Sequence, residues 1–303
     1  RYRILELIGE GAMGAVYRAE RPDGPPVAIK VLHEELGDQP DLRERFEREA
    51  RALFALEHPH VLAVHDFGIV NGMPYLAMEL LNGSPLDAMV EDGPLAPAVA
   101  FDLCRQVLQG LAFAHSKSVL HRDLKTENVF VSTAADGRMT AKLLDFGLVK
   151  FVDDDRWGES KNLTVQGSVM GTPAYMAPEQ CAGAPVDTRG DVYSAGVILF
   201  EVFTGLWPFM EEDRISMFQA HFAKPVPSVN DVLEGGVRLP AELDAVIATA
   251  MAKKATARSH HPGKLLPPPE AIPALGPAPP PAHAPAREHV QLTPARARPP
   301  PQP

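Results

Sequence analysis

The hydrophobic pattern of this chain changes near residue 82, and that change limits the possible folds more than any other feature. Before it, short runs rich in β-branched and aromatic residues surround one charged amphipathic helix, predicted for Asp41–Leu56. After it, longer helical patterns dominate. We therefore predict an α+β fold with two lobes and a cleft between them. The small antiparallel β-sheet lobe with one helix takes residues 1–81, and the larger, mainly α-helical lobe takes residues 82–258.

Runs bounded by Gly, Pro or polar clusters predict the strands. Those of the small sheet are Tyr2–Ile8, Ala15–Ala19, Val27–Leu32, Val61–Phe67 and Tyr75–Glu79. In the helical part, Val129–Val131 and Lys142–Leu144 predict a hairpin with Asp136-Gly137 at its turn, since Gly accepts the backbone angles that such turns need.

The composition is that of an ordinary soluble globular protein, and it argues against several functions. The 303 residues are 45% hydrophobic and 22% charged, which allows a substantial core. The formal net charge of −10 argues against a nucleic-acid partner, because that would need a basic face. Cys104 and Cys181 are too few for a disulfide framework or a cysteine metal site, and they fit a reducing, cytoplasmic environment.

No apolar run is long enough to predict a membrane span. The best candidate, Ala195–Phe203, is short and contains Glu201, so we expect a buried helix there. The chain opens on Arg1 rather than Met and shows no signal peptide. We therefore expect part of a longer protein, whose flanks could include a membrane anchor.

The composition changes again at the C-terminal end. Ser259–Pro303 contains 15 of the chain's 31 prolines, and no hydrophobic period survives in it. Proline removes helix and ladder hydrogen bonds, so we predict a disordered or extended tail. An inert linker is favoured over a proline-rich ligand for a partner protein.

A glycine-rich segment in the first hairpin is typical of phosphate binding. Gly9–Val16 matches G-x-G-x-x-G-x-V, in which glycines let backbone amides approach phosphate oxygens without a Cβ in the way. Alone this is weak evidence, because a dinucleotide-binding turn has nearly the same letters and a plain hairpin turn would also use glycine. A dinucleotide-binding turn opens into a helix, whereas Val16 and Tyr17 continue a strand.

Lys30 closes the apolar run Val27-Ala28-Ile29 one strand later. A lysine in such a place is costly to bury unpaired, so it needs an anion. Phosphate and a carboxylate of the following helix are the two candidates. Glu49 is preferred over Glu47, because Leu53, one turn on, places Glu49 on the apolar side of the helix.

The most informative segment is His121–Asn128, H-R-D-L-K-T-E-N, which concentrates His, Arg, Lys and two acids between apolar pairs. Asp145-Phe146-Gly147 and Ala177-Pro178-Glu179 follow it in order. With these motifs the chain resembles the protein kinase family, specifically the bacterial eukaryotic-like serine/threonine kinases, from its start to about residue 258. The resemblance implies a protein kinase-like bilobal fold.

The resemblance also implies that ATP and Mg²⁺ are used to phosphorylate a serine or threonine hydroxyl of a protein substrate. Asp123 would orient that hydroxyl and accept its proton, Lys125 would steady the transferring phosphate, and Lys30 would also be catalytic. Asn128 and Asp145 would hold the magnesium ions, since hard oxygen ligands suit that cation. The residues implied for nucleotide binding are Ile8, Gly9, Glu10, Gly11, Ala12, Met13, Gly14, Ala15, Val16, Ala28, Lys30, Glu49, Met78, Glu79, Leu81, Phe130 and Asp145.

Within that set, the segment up to Leu81 resembles the strand that leads into the hinge between kinase lobes. Met78 would be the gatekeeper residue, and the Glu79 carbonyl and Leu81 amide would hydrogen-bond adenine. Four apolar side chains would sandwich the ring: Ile8, Val16, Ala28 and Phe130.

The polar segment between Asp145 and Glu179 resembles the activation segment, and autophosphorylation is expected on it. Thr164 is the first candidate phosphosite and Ser168 the second, with Arg122 as a cation able to pair with the phosphate. A homodimer that phosphorylates itself in trans is left open by the sequence.

Three further roles follow from the resemblance. Gly171–Met176 would receive the substrate residue after the acceptor, and Thr172 would bond to Asp123. Asp191 would be the buried acid that ties down the catalytic loop, and His121 would prop the same loop.

The chain departs from the family pattern at Thr126 and again after Arg258. Thr126 stands where proline is usual, which predicts a slightly softer loop without loss of activity. Arg258 is placed to pair with Glu179, but the amphipathic helix that follows such an arginine in kinases is predicted to be absent. Losing three or four buried anchors at roughly 1.5–3 kcal/mol each rivals a domain's stability of about 5–15 kcal/mol. The sequence leaves open whether the fold is marginal or the tail is a truncation or frameshift.

The sequence argues against two alternative functions, a pseudokinase and a small-molecule kinase. A pseudokinase, which keeps the fold without turnover, usually lacks one of the charged catalytic residues. Here all are present: Lys30, Glu49, Asp123, Asn128 and Asp145. A small-molecule kinase such as an aminoglycoside phosphotransferase is disfavoured by Lys125 and Ala177-Pro178-Glu179, which serve peptide binding and its regulation.

Overall fold

The computed structural model describes residues 2–11, 14–22, 24–32, 40–146, 173–233 and 238–266. The strands are β1 (Arg3–Gly11), β2 (Gly14–Glu20), β3 (Val27–Leu32), β4 (Val64–Val70), β5 (Met73–Glu79), β6 (Ser84–Pro85), β7 (Val129–Thr133) and β8 (Met139–Leu143). The helices are α1 (Pro40–Phe54), α2 (Leu86–Val90), α3 (Pro97–Ser116), α4 (Pro178–Cys181), α5 (Thr188–Thr204), α6 (Arg214–Ala223), α7 (Val229–Val232) and α8 (Ala241–Ala250).

Five antiparallel strands form one sheet in the order β1-β2-β3-β5-β4. The central strand β3 is apolar and almost entirely buried, whereas the side chains of the edge strand β1 are largely exposed. Helix α1 packs against β4 and β5, because Phe46, Ala50 and Leu53 recur at the spacing that places them on one helical face. This packing gives the small sheet its own apolar cover.

The helical part is built around α5, whose residues from Gly190 to Thr204 are all buried. Asp187 caps its first turn by accepting a hydrogen bond from the Arg189 amide at 2.9 Å. Gly205 ends the helix in the left-handed conformation, with φ of 73°, which a residue without a Cβ adopts readily. Because α3 and α8 pack directly on α5, this helix forms the centre of the larger core.

A second, three-stranded sheet of β6, β7 and β8 packs on α3. Its last strand also joins the segment that precedes β4, because Leu62 N donates to Leu143 O and Leu143 N donates to His60 O, both at 3.0 Å. The loop before β7 and the loop after β8 therefore lie next to the five-stranded sheet.

The predicted elements are present, with small shifts at their ends. Val27–Leu32 has its predicted ends, the helix predicted for Asp41–Leu56 spans Pro40–Phe54, and the β7–β8 hairpin turns at Gly137 with φ of 83°. The predicted buried helix Ala195–Phe203 lies within α5. Among the described residues, no helix combines the length and apolar character that crossing a membrane requires.

Beyond Arg258, residues 259–266 pack against the helical part. A 3₁₀ turn at Pro262–Lys264 lies on α3, and the Leu265 side chain is 7% exposed within the main core. These residues begin the segment for which a tail was predicted. Residues 267–303, with nearly all of its prolines, lie outside the described residues.

Candidate active site

The loop between α3 and β7 is held by a carboxylate at the N-terminal end of α5. Asp191, which is buried, accepts hydrogen bonds from the backbone amides of His121 at 2.8 Å and Arg122 at 2.7 Å. Nε2 of His115 lies 2.8 Å from Oδ2 of Asp191, the oxygen that also accepts from the His121 amide. Arg122 has a φ of 67°, an unusual conformation for a long side chain, and this carboxylate fixes it. Asp191 therefore ties down the loop as predicted.

The charge of Asp191 is maintained although the carboxyl is buried. Burial raises its pKa, but the hydrogen bond with His115 and the hydrogen bond from the His121 amide lower it more, so the pKa lies below its ordinary value. His121 is itself fully buried, packs against the Phe146 ring with 4.6 Å between ring centroids, and has a pKa lowered by burial. The neutral imidazole of His121 thus supports the loop by packing against Phe146 in the core.

Two side chains of this loop, Asn128 and Lys125, contact the carboxylate of Asp123. Asn128 Nδ2 donates to the Asp123 backbone oxygen at 2.8 Å and to its Oδ2 at 3.2 Å. Lys125 Nζ lies 3.5 Å from the same Oδ2. Asp123 is therefore oriented from one side and remains partly exposed, as a group that accepts a proton from a substrate must be.

Lys30 and Asp145 form an ion pair between the five-stranded sheet and the loop after β8. Lys30 Nζ lies 2.7 Å from Asp145 Oδ1, although the residues are 115 positions apart. The lysine is 8% exposed on the central strand β3, so this carboxylate supplies the anion that its burial requires. Asp145 has a φ of 52°, a left-handed conformation that Asp tolerates better than most residues.

The position of Glu49 differs from the expectation. Its carboxylate accepts from Arg48 at 3.4 Å, and among the described residues it forms no ion pair with Lys30. The side chain of Glu49 is partly exposed on α1. Lys30 therefore takes its partner from the loop after β8 rather than from α1.

The residues predicted to line an adenine pocket lie on neighbouring strands and differ in their burial. Met78 is buried and pairs in register with Ala28 across β3 and β5. The Glu79 carboxylate accepts from the Ala63 amide at 2.8 Å and from Lys142 Nζ at 2.7 Å, so its backbone is fixed at the end of β5. The other side chains predicted to contact the ring differ in exposure: Val16 and Phe130 are partly exposed, and Ile8 is exposed.

The glycine-rich segment connects β1 to β2. Gly14 has a φ of 148°, and a Cβ at this position would lie 2.0 Å from the backbone oxygen of Val31. Gly14 is thus required by the close pairing of β2 with β3, while Gly11 has open space around it among the described atoms. Two predicted binding residues, Ala12 and Met13, lie outside the described residues.

Several predicted regulatory positions also lie outside the described residues. These are Gly147, Thr164, Ser168, Gly171 and Thr172. The predicted pairing of Arg258 with Glu179 is confirmed, with Nη1 2.6 Å from Oε1 and Nη2 3.0 Å from Oε2.

One buried cluster beside the loop was not foreseen in the sequence. The hydroxyl of Thr126 lies 2.8 Å from that of Tyr175 and 3.2 Å from Oε2 of Glu201, and the Trp207 indole N–H donates to both Tyr175 and Glu201. The only available sequence signal was a glutamate within the apolar run Ala195–Phe203, since a buried carboxylate requires donors.

The described residues contain no group of three or more His, Cys, Asp or Glu side chains that could hold a metal by itself. A cation next to Asp145 and Asn128 would therefore need further oxygen ligands from phosphate groups and water. Mg²⁺ is bound in that way, because it keeps several waters and takes one or two protein ligands together with substrate phosphates. The residues present fit that ion.

Comparisons with known proteins point to one family. A family model described as "Protein kinase domain" matches residues 2–259. Serine/threonine-protein kinase pkn2 of Myxococcus xanthus is 46% identical over 210 residues, which are 69% of this chain and 25% of that protein. Serine/threonine-protein kinase PknE of Mycobacterium bovis is 40% identical over 254 residues, which are 83% of this chain and 42% of that protein. The chain thus spans less than half the length of either relative.

The fold is also that of a solved kinase domain. The crystal structure of the PknI kinase domain of Mycobacterium tuberculosis aligns with a TM-score of 0.66 and 27% sequence identity, covering 87% of this chain and 93% of that one. The predicted bilobal fold, a small antiparallel sheet with one helix beside a larger helical part, is confirmed by this match. With the family model covering most of the chain, the protein belongs to the protein kinase family.

Proposed function

We propose that this chain is the catalytic domain of a protein serine/threonine kinase, which transfers the γ-phosphate of ATP to serine or threonine hydroxyls of protein substrates. The observation that carries the proposal is the convergence of Lys30 and Asp145 at 2.7 Å beside a loop in which Asp123 is held by Asn128. Residues 1–81 would contribute most of the ATP site, and residues 82–258 the catalytic loop and the substrate surface.

The nucleotide would bind between the five-stranded sheet and the loops around β7. Ala28 and Met78 would line the adenine pocket, and the Glu79 carbonyl and the Leu81 amide would hydrogen-bond the ring. The amides between Gly9 and Gly14 would approach the phosphates. Lys30 would donate to a phosphate oxygen. Its amine already pairs with one anion, the Asp145 carboxylate at 2.7 Å, so a phosphate bound at the same place would find a donor.

The chain's own residues account for the proton and for the charge. Asp123 would orient the acceptor hydroxyl and take its proton, since its carboxylate is partly exposed and fixed by Asn128. Lys125, 3.5 Å from Asp123, would lie beside the phosphate in transfer and offset its negative charge. When bound, Mg²⁺ neutralises charge on the phosphate oxygens.

Asn128 and Asp145 are the residues that would hold magnesium. The Nδ2 of Asn128 is used on Asp123, so its Oδ1 is the atom that would face a cation. Asp145 now pairs with Lys30 through Oδ1. Lys30 would then pair with a phosphate oxygen and Asp145 with the cation, so neither charge would be left unpaired.

Two finer points belong to the same proposal. The kinase would phosphorylate its own activation segment, with Thr164 the first candidate and Ser168 the second, and two copies could do so in trans. Arg122, whose backbone is fixed by Asp191, would present its guanidinium to that phosphate.

The test compares wild type with Lys30→Met and Asp145→Asn, after circular dichroism shows that all three are folded. Each is incubated with radiolabelled ATP and Mg²⁺, with and without dephosphorylated casein as acceptor. Acid-stable label on Ser or Thr, present for wild type and absent for both variants, is the expected result.

A folded wild type that leaves both itself and casein unlabelled would overturn the proposal. Nucleotide binding measured on the same sample would then separate a pseudokinase, which binds without turnover, from a chain with no ATP site. Transfer to an aminoglycoside but not to protein would instead favour a small-molecule kinase.

A further inference from the structure

Thr126 is the one residue of the catalytic loop that departs from the family pattern, and it is completely buried. Proline, the usual residue at this position, has no hydroxyl and restricts the residue before it. Thr126 instead begins the 3₁₀ turn Thr126–Asn128 with a hydroxyl that points into the protein. A buried hydroxyl is costly unless it is hydrogen-bonded, so its partners indicate what it does.

Those partners form a cluster around the carboxylate of Glu201, which is also fully buried inside α5. Tyr175 donates its hydroxyl to Oε2 at 2.5 Å, and the Trp207 indole N–H donates to Oε1 at 3.1 Å. The Thr126 hydroxyl lies 3.2 Å from Oε2 and 2.8 Å from the Tyr175 hydroxyl. Tyr175 stays protonated, because burial and the adjacent Glu201 raise its pKa well above the ordinary value.

The cluster joins two segments with different tasks. Thr126 lies three residues after Asp123 in the catalytic loop. Tyr175 lies in the 3₁₀ turn Pro173–Tyr175, within the segment that would receive the substrate residue next to the acceptor. The 2.8 Å contact between their hydroxyls therefore fixes the position of the loop that carries Asp123 relative to the surface on which the substrate would lie.

We propose that Thr126 is a positioning residue, whose hydroxyl ties the catalytic loop to Tyr175 and Glu201 and thereby sets the affinity for the protein substrate. The proposal rests on the kinase function proposed above. In this chain a hydrogen bond supplies the constraint on the loop that proline's restricted backbone would supply. The softer loop that the sequence alone predicted would then be stiffened by tertiary contacts.

The test is steady-state kinetics on wild type, Thr126→Val and Thr126→Ser, with ATP, Mg²⁺ and dephosphorylated casein. Valine keeps the branched shape and removes the hydroxyl, whereas serine keeps the hydroxyl. We expect Thr126→Val to raise the KM for casein by roughly three- to tenfold, as the loss of one neutral hydrogen bond predicts. The Kd for ATP, measured by calorimetry, should be unchanged, and Thr126→Ser should restore the KM.

Two further variants test whether the change in KM comes from the loss of the contact between Thr126 and Tyr175. Thr249→Val is the control, because the Thr249 hydroxyl donates to the backbone oxygen of Ala245 within α8 and not to the catalytic loop. Tyr175→Phe removes the second hydroxyl of the cluster, and it tests the same contact if Thr126→Val does not fold. It should raise the same KM, and the effect of the double variant should be smaller than the sum of the two single effects, because both single variants remove the contact between the two hydroxyls.

An unchanged KM for casein in folded Thr126→Val, or a serine variant no better than the valine variant, would overturn the proposal. A fall in ATP affinity and in casein phosphorylation by the same factor would also overturn it, since a general loss of structure explains that result. Failure of the kinase function itself looks different, because wild type would then phosphorylate nothing.

Discussion

Arg258 and Glu179 form a two-point ion pair across 79 positions of the sequence, with both guanidinium–carboxylate contacts at 3.0 Å or less. The Arg258 side chain is completely buried. It also donates to the backbone oxygens of Ala252 and Arg189, and it lies 4.8 Å from the centre of the Tyr193 ring. This one side chain therefore connects α4, the start of α5 and the end of the helical part.

We predict that Arg258→Met lowers the free energy of unfolding by about 3–5 kcal/mol, because it leaves the Glu179 carboxylate without its cation. Urea unfolding followed by circular dichroism measures this. Arg258→Lys should also be destabilising, since an ammonium cannot make two parallel bonds to one carboxylate.

The double variant Arg258→Met/Glu179→Leu is the control for that prediction. It removes both charges, so it should be more stable than Arg258→Met alone. Equal stability of wild type and Arg258→Met would show that the ion pair contributes nothing.

A second prediction concerns pH. His221 is fully buried, with Nδ1 2.8 Å from the Tyr193 hydroxyl, and burial, aided by the charge of Lys253, lowers its pKa from 6.5 to about 4. In the unfolded chain the same group takes up a proton near pH 6.5, while the folded chain keeps it neutral. The neutral form therefore contributes stability above pH 6.5, and this contribution, roughly 3 kcal/mol, is lost as the pH falls toward 4.

The measurement is the free energy of unfolding between pH 7.5 and pH 4.5, for wild type and His221→Gln. The variant should show a shallower decline in acid, with the remaining slope coming partly from His121, whose pKa burial also lowers. Parallel curves for the two proteins would contradict the assignment to His221.

Asp123→Asn should separate chemistry from binding. Removing the proton acceptor should lower kcat by about 10²–10⁴-fold. The affinity for ATP should change little, because the contacts of Asp123 are with Lys125 and Asn128 and not with Lys30. Phosphate transfer to casein and calorimetric ATP binding measure the two effects.

Asp136→Asn is the matched control for Asp123→Asn, since Asp136 is an exposed acid at the β7–β8 turn. It should have wild-type kinetics. An Asp123→Asn variant with wild-type kcat would remove Asp123 from the mechanism.

Gly14 and Gly11, in the glycine-rich segment between β1 and β2, should respond differently to a methyl group. Gly14→Ala would place a Cβ 2.0 Å from the Val31 oxygen at a φ of 148°, so it should lower the free energy of unfolding by about 2 kcal/mol or more. Gly11→Ala meets no described atom within 4 Å and should keep the wild-type melting temperature. Equal melting temperatures for the two variants would contradict this account of the β2–β3 pairing.

The sequence by itself determined the order and type of the elements and the composition of the loop His121–Asn128. Strand and helix periods are local patterns, so Val27–Leu32 and the buried run within α5 were both predictable. Asp123, Lys125 and Asn128 lie within six consecutive residues, so a single loop conformation brings their side chains together.

Only the tertiary structure decided the long-range partners. The sequence offered phosphate or Glu49 as the anion for Lys30, and the fold places Asp145 there. It likewise predicted only a softer loop at Thr126, whereas the fold buries its hydroxyl against Tyr175. The physical reason is that hydrophobic periods specify which face of an element is buried. Which polar groups meet across the core depends on how whole helices and strands dock, and no local pattern contains that information.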